Sequence, residues 1–243
     1  MHWEVDILNR RLFAVLLALC VLFSAVFCLA DESDDDWDDD DDGFESLDEE
    51  EMTDDFTTVS SYHVSIMEAD DFKYKYNEDK TAAILTYYVG ENPEVIFPET
   101  VENNLPVIAI DTGMCADNGV ITSIRIPGSI KTIGNNAFAR CANLKSIVIE
   151  EGVEEIGMCS FGGCPELTTV ELPDSLQKVG IAGFAYCAVL EEVEFGASLE
   201  SIGAQAFAGC ASLVRIVVPG GDRVVIPDNV FDLCPNEVEI VVP

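Results

Sequence analysis

The chain has 243 residues, of which 46 are Asp or Glu and 12 are Lys or Arg, so its formal net charge at pH 7 is −34. Such an acidic chain is a poor partner for nucleic acids and for anionic membrane surfaces, because both are bound through basic patches. Apolar residues make up 49% of the chain, which is enough for a hydrophobic core, so disorder does not describe the whole of it.

The first thirty residues predict export. Two arginines precede an apolar run over residues 12–30, and basic residues at this place favour a cytoplasmic N-terminus. The length of the run lies between that of a signal-peptide core and that of a membrane span. Small residues at Cys28 and Ala30 suit a cleavage site before Asp31, so residues 1–30 are either a signal peptide or a retained signal anchor. Only a retained segment would contact a membrane.

Residues 31–56 predict a disordered acidic linker. Of these residues 17 are Asp or Glu and none is basic, so the segment repels itself and buries too little surface to fold. The spacing from Asp38 to Glu49 matches an EF-hand calcium loop, but a run this acidic matches it by composition alone, and no amphipathic helices flank it. We therefore expect a stalk and no specific metal site.

Residues 57–106 predict a β-rich N-terminal cap. Phe72, Tyr74 and Tyr76 alternate with lysines, which is the period of a strand. Further strands are predicted over residues 81–89 and 94–97, with turns between them. Together they indicate a small β-meander that covers the first coil of a repeat array.

Residues 107–243 repeat with a period of 23 residues, and the recurring Phe of each unit stands at Phe138, Phe161, Phe184, Phe207 and Phe231. A fixed period of this size predicts a solenoid of about six coils, each burying its apolar side against its neighbours. One half of each unit reads Leu-x-x-Leu-x-Leu and predicts a short strand of a parallel sheet on the concave side. In one such strand Ile147 and Ile149 point inward and Ser146 and Val148 outward. The Phe residues are expected to fill the convex half of the core.

The other half of the unit reads Ile-Gly-x-x-x-Phe-x-x-Cys and follows an Ile-Pro or Leu-Pro pair, as over residues 126–141 and 172–187. In this order the sequence resembles the BspA-type leucine-rich repeats, over about residues 72–243. The resemblance implies a right-handed solenoid coil with a parallel concave sheet. It also implies a protein exported to the cell surface, where similar proteins act as adhesins. The first coil is degenerate, with Cys115 at the Phe position, and the last has Glu237 at an apolar position and no polar cap.

Seven cysteines follow residue 30, and five recur at one position of the repeat, namely Cys141, Cys164, Cys187, Cys210 and Cys234. An inward Cys behaves as a small apolar residue, and side chains stacked along a solenoid run parallel, so reduced core thiols are expected. Cys-x-x-Cys pairs are absent, which argues against zinc. Cys159 shares its repeat position with Asn136 and Gln205, and we expect its side chain to be exposed.

No catalytic motif is found: the chain contains no Walker loop, no His-Glu-x-x-His and no Gly-x-Ser-x-Gly. His63 is the one His after residue 30, and because it precedes the repeats a thiol or hydroxyl nucleophile would lack a base. We therefore predict a protein that is not an enzyme and uses no cofactor.

The outward strand positions of successive coils predict a binding face on the concave side. Glu171 and Glu194 occupy one position of neighbouring strands, with two further glutamates and several valines beside them. The predicted binding residues are Arg125, Glu171, Glu191, Glu192, Glu194, Arg215 and Val217. An acidic centre with apolar neighbours fits a protein or glycan ligand with a basic surface. The alternative is an acidic face that only solvates the protein.

Two functions remain open. The first is a secreted or cell-surface recognition module, adhesin-like and non-catalytic, that binds its ligand through the concave face. The second is a structural spacer or assembly unit, whose copies associate through the uncapped C-terminal coil.

Export is tested with protease added to intact cells that make the protein. We expect the repeats to be degraded, because both readings of residues 1–30 place them outside the cytoplasm. A cytoplasmic protein in the same cells serves as the control for lysis. Full protection of the repeats would contradict export.

Overall fold

The computed structural model describes residues 67–69 and 71–243. The predictions for residues 12–30, for residues 31–56 and for His63 lie outside this part of the chain. The described chain is built of strands and turns, and its two short 3₁₀ helices are Glu102–Asn104 and Gly221–Arg223. The strands are β1 Met67–Ala69, β2 Phe72–Tyr76, β3 Ala83–Tyr88, β4 Glu94–Ile96, β5 Thr100–Val101, β6 Leu105–Ile110, β7 Ser123–Ile126, β8 Thr132–Ile133, β9 Ser146–Ile149, β10 Glu155–Ile156, β11 Thr169–Glu171, β12 Lys178–Val179, β13 Glu192–Glu194, β14 Ser201–Ile202, β15 Arg215–Val217 and β16 Glu239–Val241.

The predicted parallel sheet is present. We call its strands the concave sheet: β4, β7, β9 and β11 form one ladder, and β13, β15 and β16 form another. Within a ladder, residues of one coil pair with the equivalent residues of the next coil, as Ser146 does with Thr169. Ile147 and Ile149 are buried while Ser146 and Val148 are partly exposed, as the alternation of the sequence predicts.

A second parallel sheet runs along the solenoid, and the sequence analysis did not identify it. It joins β6, β8, β10, β12 and β14, whose buried residues are Ile110, Ile133, Ile156, Val179 and Ile202. In the repeated coils the strand is followed by glycine because the backbones of adjacent coils nearly touch there. A Cβ on Gly180 would lie 2.6 Å from the carbonyl carbon of Gly157, closer than any real contact. Glycine therefore recurs after the strand because the coils could not stack this closely with a larger residue there.

The N-terminal strands differ from the predicted meander in one respect. Strands β1, β2 and β3 are antiparallel neighbours, and β3 then pairs in parallel with β6 and so extends the second sheet. Strand β4 does not join them. It pairs in parallel with β7, with Val95 opposite Ile124, and is therefore the first strand of the concave sheet.

The recurring Phe residues form a stacked ladder in the core. The ring centroids of Phe138 and Phe161 lie 5.3 Å apart with the planes 3° from parallel. The contacts from Phe161 to Phe184 and from Phe184 to Phe207 repeat this arrangement at 5.3 and 5.5 Å. At the last coil the stack loosens: Phe231 lies 6.3 Å from Phe207 with the rings tilted by 30°, and it is only partly buried. The ladder confirms the predicted core.

The recurring cysteines are free thiols, as predicted, and each has a specific partner. The Sγ of Cys164 donates to the carbonyl oxygen of Phe138 at 3.3 Å, and that of Cys187 donates to Phe161 at 3.3 Å. The same bond recurs at Cys141, Cys210 and Cys234. A thiol here therefore does more than fill space, since its weak donor joins adjacent coils.

The prediction for Cys159 is wrong, because the side chain is 6% exposed. Its φ of 53° lies in the left-handed region, as do those of Ala182 and Gln205 at the same repeat position. This backbone conformation belongs to the turn after each Ile-Gly, and the three side chains are all buried.

Truncation of the ladder tests the core. We expect Phe184→Ala to lower the free energy of unfolding by about 3–5 kcal/mol, because the ring is fully buried between two others and the protein relaxes only partly around the cavity. Phe231→Ala is the matched control and should cost clearly less, since that ring is partly exposed. Urea denaturation followed by circular dichroism measures both. Equal losses would show that the stack is not the core of the coil.

Thiol alkylation tests the burial of the cysteines. Among the cysteines of residues 71–243, we expect Cys234 to react first in the native protein, because it alone is partly exposed. Burial raises the pKa of the Cys210 thiol to about 12, so that thiol stays protonated and unreactive. Urea should expose the other thiols, and Cys234→Ala should leave this part of the native protein almost unlabelled. Native labelling of Cys159 at the rate of Cys234 would contradict the structure.

Candidate binding face

The outward side chains of the concave sheet form three columns along the solenoid. We call this surface the concave face. The residues of the first column, just before each strand, are Thr122, Lys145, Thr168, Glu191, Val214 and Val238. Those of the second are Glu94, Ser123, Ser146, Thr169, Glu192, Arg215 and Glu239, and those of the third are Ile96, Arg125, Val148, Glu171, Glu194, Val217 and Val241. The structure thus brings all seven predicted binding residues to one face.

The N-terminal third of the face carries two of its three basic residues, Arg125 and Lys145, and its most exposed large apolar side chain, Ile96. Ile96 is 72% exposed, the largest exposure among the large apolar side chains of the described chain. Arg125 is exposed beside it, and its Nε donates to Glu150 Oε1 at 2.6 Å. Lys145 is exposed in the next coil. The sequence analysis missed Ile96 because it assigned residues 94–97 to the cap, although they follow the strand pattern of the coils.

The centre of the face is acidic. Glu171, Glu191, Glu192 and Glu194 are all exposed, and they come from two successive coils. One cation approaches them, since Arg215 Nη1 lies 3.7 Å from Glu192 Oε2. An exposed ion pair at this distance contributes little to stability, because water screens it. The charge of this centre is therefore largely uncompensated by the neighbouring strands.

The concave sheet is interrupted at this acidic centre. Strand β11 pairs with β9, and β13 pairs with β15, but β11 and β13 do not pair with each other. Glu171 and Glu194, predicted to lie on adjacent parallel strands, instead hold equivalent positions on either side of a boundary. We call the boundary between β11 and β13 the seam.

Apolar side chains reach solvent along the seam and beyond it. Val170 and Leu172 are only partly buried, whereas their equivalents in the previous coil, Ile147 and Ile149, are buried. Val214 is 46% exposed on the far side. Val217, predicted to be exposed, is half-buried beneath its neighbours. Val170 and Leu172 lie on the β11 side of the seam, and no feature of their own sequence signals their partial exposure.

The described residues provide no imidazole base and no metal site on this face. No His occurs in the part of the chain that the structure describes, so its thiols have no imidazole base. Burial also raises the pKa of the Cys187 thiol well above its ordinary value, which disfavours a thiolate nucleophile. In residues 67–69 and 71–243, no group of three or more His, Cys, Asp or Glu side chains is placed to hold a metal ion. No helix of those residues is long and apolar enough to cross a membrane.

The fold is similar to those of bacterial leucine-rich repeat proteins of known structure. A T. pallidum leucine-rich repeat protein is 31% identical, with a TM-score of 0.61 over 64% of this chain and 72% of its own. A leucine-rich cell surface protein from Faecalibacterium prausnitzii is 25% identical, with a TM-score of 0.58 over 68% of this chain and 48% of its own. The pneumococcal vaccine antigen PcpA, 22% identical with a TM-score of 0.62 over 73% of this chain and 50% of its own, shares the fold. No curated protein matches the chain.

Residues 109–237 match the BspA type leucine rich repeat region in six copies, which is more than half of the chain. The match spans the recurring Phe, the recurring Cys and strands β7 to β15 of the two parallel sheets. The chain belongs to the family of BspA-type leucine-rich repeat proteins.

Proposed function

We propose that the protein is an exported, cell-surface interaction module that binds a protein or glycan ligand through the concave face. The observation that carries the proposal is the concentration of uncompensated carboxylates at the centre of the face, with exposed or half-exposed apolar side chains around them. Like charges at equivalent positions of neighbouring strands lower the stability of a sheet. The carboxylates repel one another and are largely unpaired within the described chain, which supports a binding role.

The chemistry of the face describes its partner. A ligand with a basic surface would complement Glu171, Glu192 and Glu194. Apolar groups on either side of that basic surface would contact Val214 and Ile96. Because Arg125 and Lys145 lie toward the N-terminal end, a ligand with charge of both signs would bind in one orientation. Exposed charges act mainly on the rate of association, so added salt should slow binding more than it speeds dissociation.

Export and surface display rest on two supports. The N-terminal sequence has the pattern of a signal peptide or anchor, and a similar structure belongs to a protein described as a cell surface protein. The chain also belongs to a repeat family, and solenoid repeats present extended surfaces that suit the binding of a partner. This supports a recognition role without catalysis.

Assembly through the last coil is the second candidate. Ile240 and Val242 are 44% and 57% exposed, and Phe231 and Cys234 are only partly buried in the described chain. Exposed apolar surface on this coil favours association. A molar mass that grows with protein concentration supports this function, and a constant monomeric mass together with a captured ligand supports recognition.

Charge reversal on the face tests recognition. A pull-down with the purified protein on cell-surface and matrix fractions first identifies a ligand, and its affinity is then measured for Glu171→Lys plus Glu194→Lys. We expect at least a tenfold loss, about 1.4 kcal/mol, because two attractive charges become repulsive.

The matched control is Glu78→Lys plus Glu166→Lys, which changes the net charge equally at exposed positions away from the concave face. It should bind as the unaltered protein does. Equal affinity of both double variants, with circular dichroism unchanged, would move the binding site off the concave face.

A further inference from the structure

The seam interrupts one half of a coil interface whose other half is complete. On the convex side of the same two coils, β12 pairs with β14, with Lys178 opposite Ser201. The backbone N–H of Phe184 donates to Ala206 at 2.8 Å, and that of Tyr186 donates to Ala208 at 2.7 Å. The rings of Phe184 and Phe207 stack across it as well. The two coils are therefore in register, and only their concave halves are unpaired.

Three backbone hydrogen bonds that join other coils are missing at the seam. In three other coils the residue before the strand donates to its counterpart one coil earlier, as Thr168 does to Lys145 at 2.9 Å. Glu191 N–H makes no such bond to Thr168. After the strand, Phe195 N–H donates to Val217 at 3.0 Å, and Glu150 N–H donates to Ile126 at 2.9 Å. The equivalent donors at the seam are Leu172 and Gly196, and neither makes the corresponding bond.

The residues that face each other explain why the interruption falls here. Across the paired strands β9 and β11, Val148 stands opposite Glu171, and across β13 and β15 Glu194 stands opposite Val217. At the seam the same column sets Glu171 against Glu194. This is the one step of the column at which two carboxylates meet, and repulsion between like charges opposes strand pairing.

We propose that the seam is a joint: repulsion between Glu171 and Glu194 keeps the concave ladder open, and the coils on either side move about the intact convex half. The pivot consists of the β12–β14 pair and the Phe184–Phe207 stack, which hold the two blocks together. The joint divides the concave face through its acidic centre. It does not require that the face bind a ligand, so it stands or falls independently of the proposed function.

Residue-resolved amide hydrogen exchange, measured by NMR on the folded protein, tests the joint. We expect the amides of Leu172, Glu191 and Gly196 to exchange at least tenfold faster than the equivalent amides of Thr168 and Glu150. The amides of Tyr186 and Gly203, which cross the same interface on the convex side, should stay protected. Equal protection of the seam amides and their equivalents would overturn the joint.

A charge-swap cycle tests its cause. Glu171→Lys alone and Glu194→Lys alone each place opposite charges across the seam, so each should slow exchange at the three seam amides about tenfold. The combination of both restores like charges and should return the fast exchange. Glu166→Lys, in the same coil but off the sheet, should change nothing there.

The cycle separates the joint from ligand binding. Loss of acidic charge weakens binding progressively from the single to the double variant, whereas the joint closes in the single variants and reopens in the double. Two results would overturn repulsion between Glu171 and Glu194 as the cause. One is an exchange rate at the seam amides that follows net charge alone, and the other is a rate that is unchanged in all three variants.

Discussion

Backbone hydrogen bonds between successive coils hold this protein together, and they form only when each coil lies one repeat from the next. The constraint is tightest after each strand of the second sheet, where a Cβ on Gly203 would lie 2.5 Å from the carbonyl carbon of Gly180. The positions of the Phe rings and of the thiols follow from this spacing. The Phe rings stack at 5.3 to 5.5 Å because the coils bring them that close, and the thiols reach a carbonyl of the preceding coil for the same reason.

Features that depend on a local pattern could be predicted from the sequence. The inward side chains of β9, the Phe ladder and the reduced thiols all follow from one residue period and from the alternation of a strand. Features that depend on distant pairing could not. Strands of two residues such as β10 leave too short a pattern to recognise.

The candidate face was predicted better than its details. All seven residues lie on it, because their positions follow from the repeat. The half-burial of Val217 and the interruption beside Glu171 depend on contacts between coils, and there a small repulsion decides whether a short ladder forms. The left-handed φ of Cys159 does not decide its burial, since Asn136 has a similar φ at the equivalent position and is only partly buried. The ligand itself is not specified, since charge and shape define a class of partner and no more.

A solenoid of this kind distributes its stability unevenly. Each coil is held by its two neighbours, so the total is close to a sum over interfaces. The interface at the seam has lost part of its ladder, and the last coil has lost part of its burial. The concave face thus lies over a coil interface whose strand ladder is interrupted.

The thiol ladder has a consequence for the lifetime of an exported copy. Outside the cytoplasm the surroundings are oxidising, and a folded chain escapes them because its thiols are buried, protonated and already engaged with carbonyl groups. Once such a chain unfolds, several thiols become free to form disulfides between coils that the stacked register cannot accept. Unfolding outside the cell would then be irreversible, and the working lifetime of the protein would be set by how rarely it unfolds.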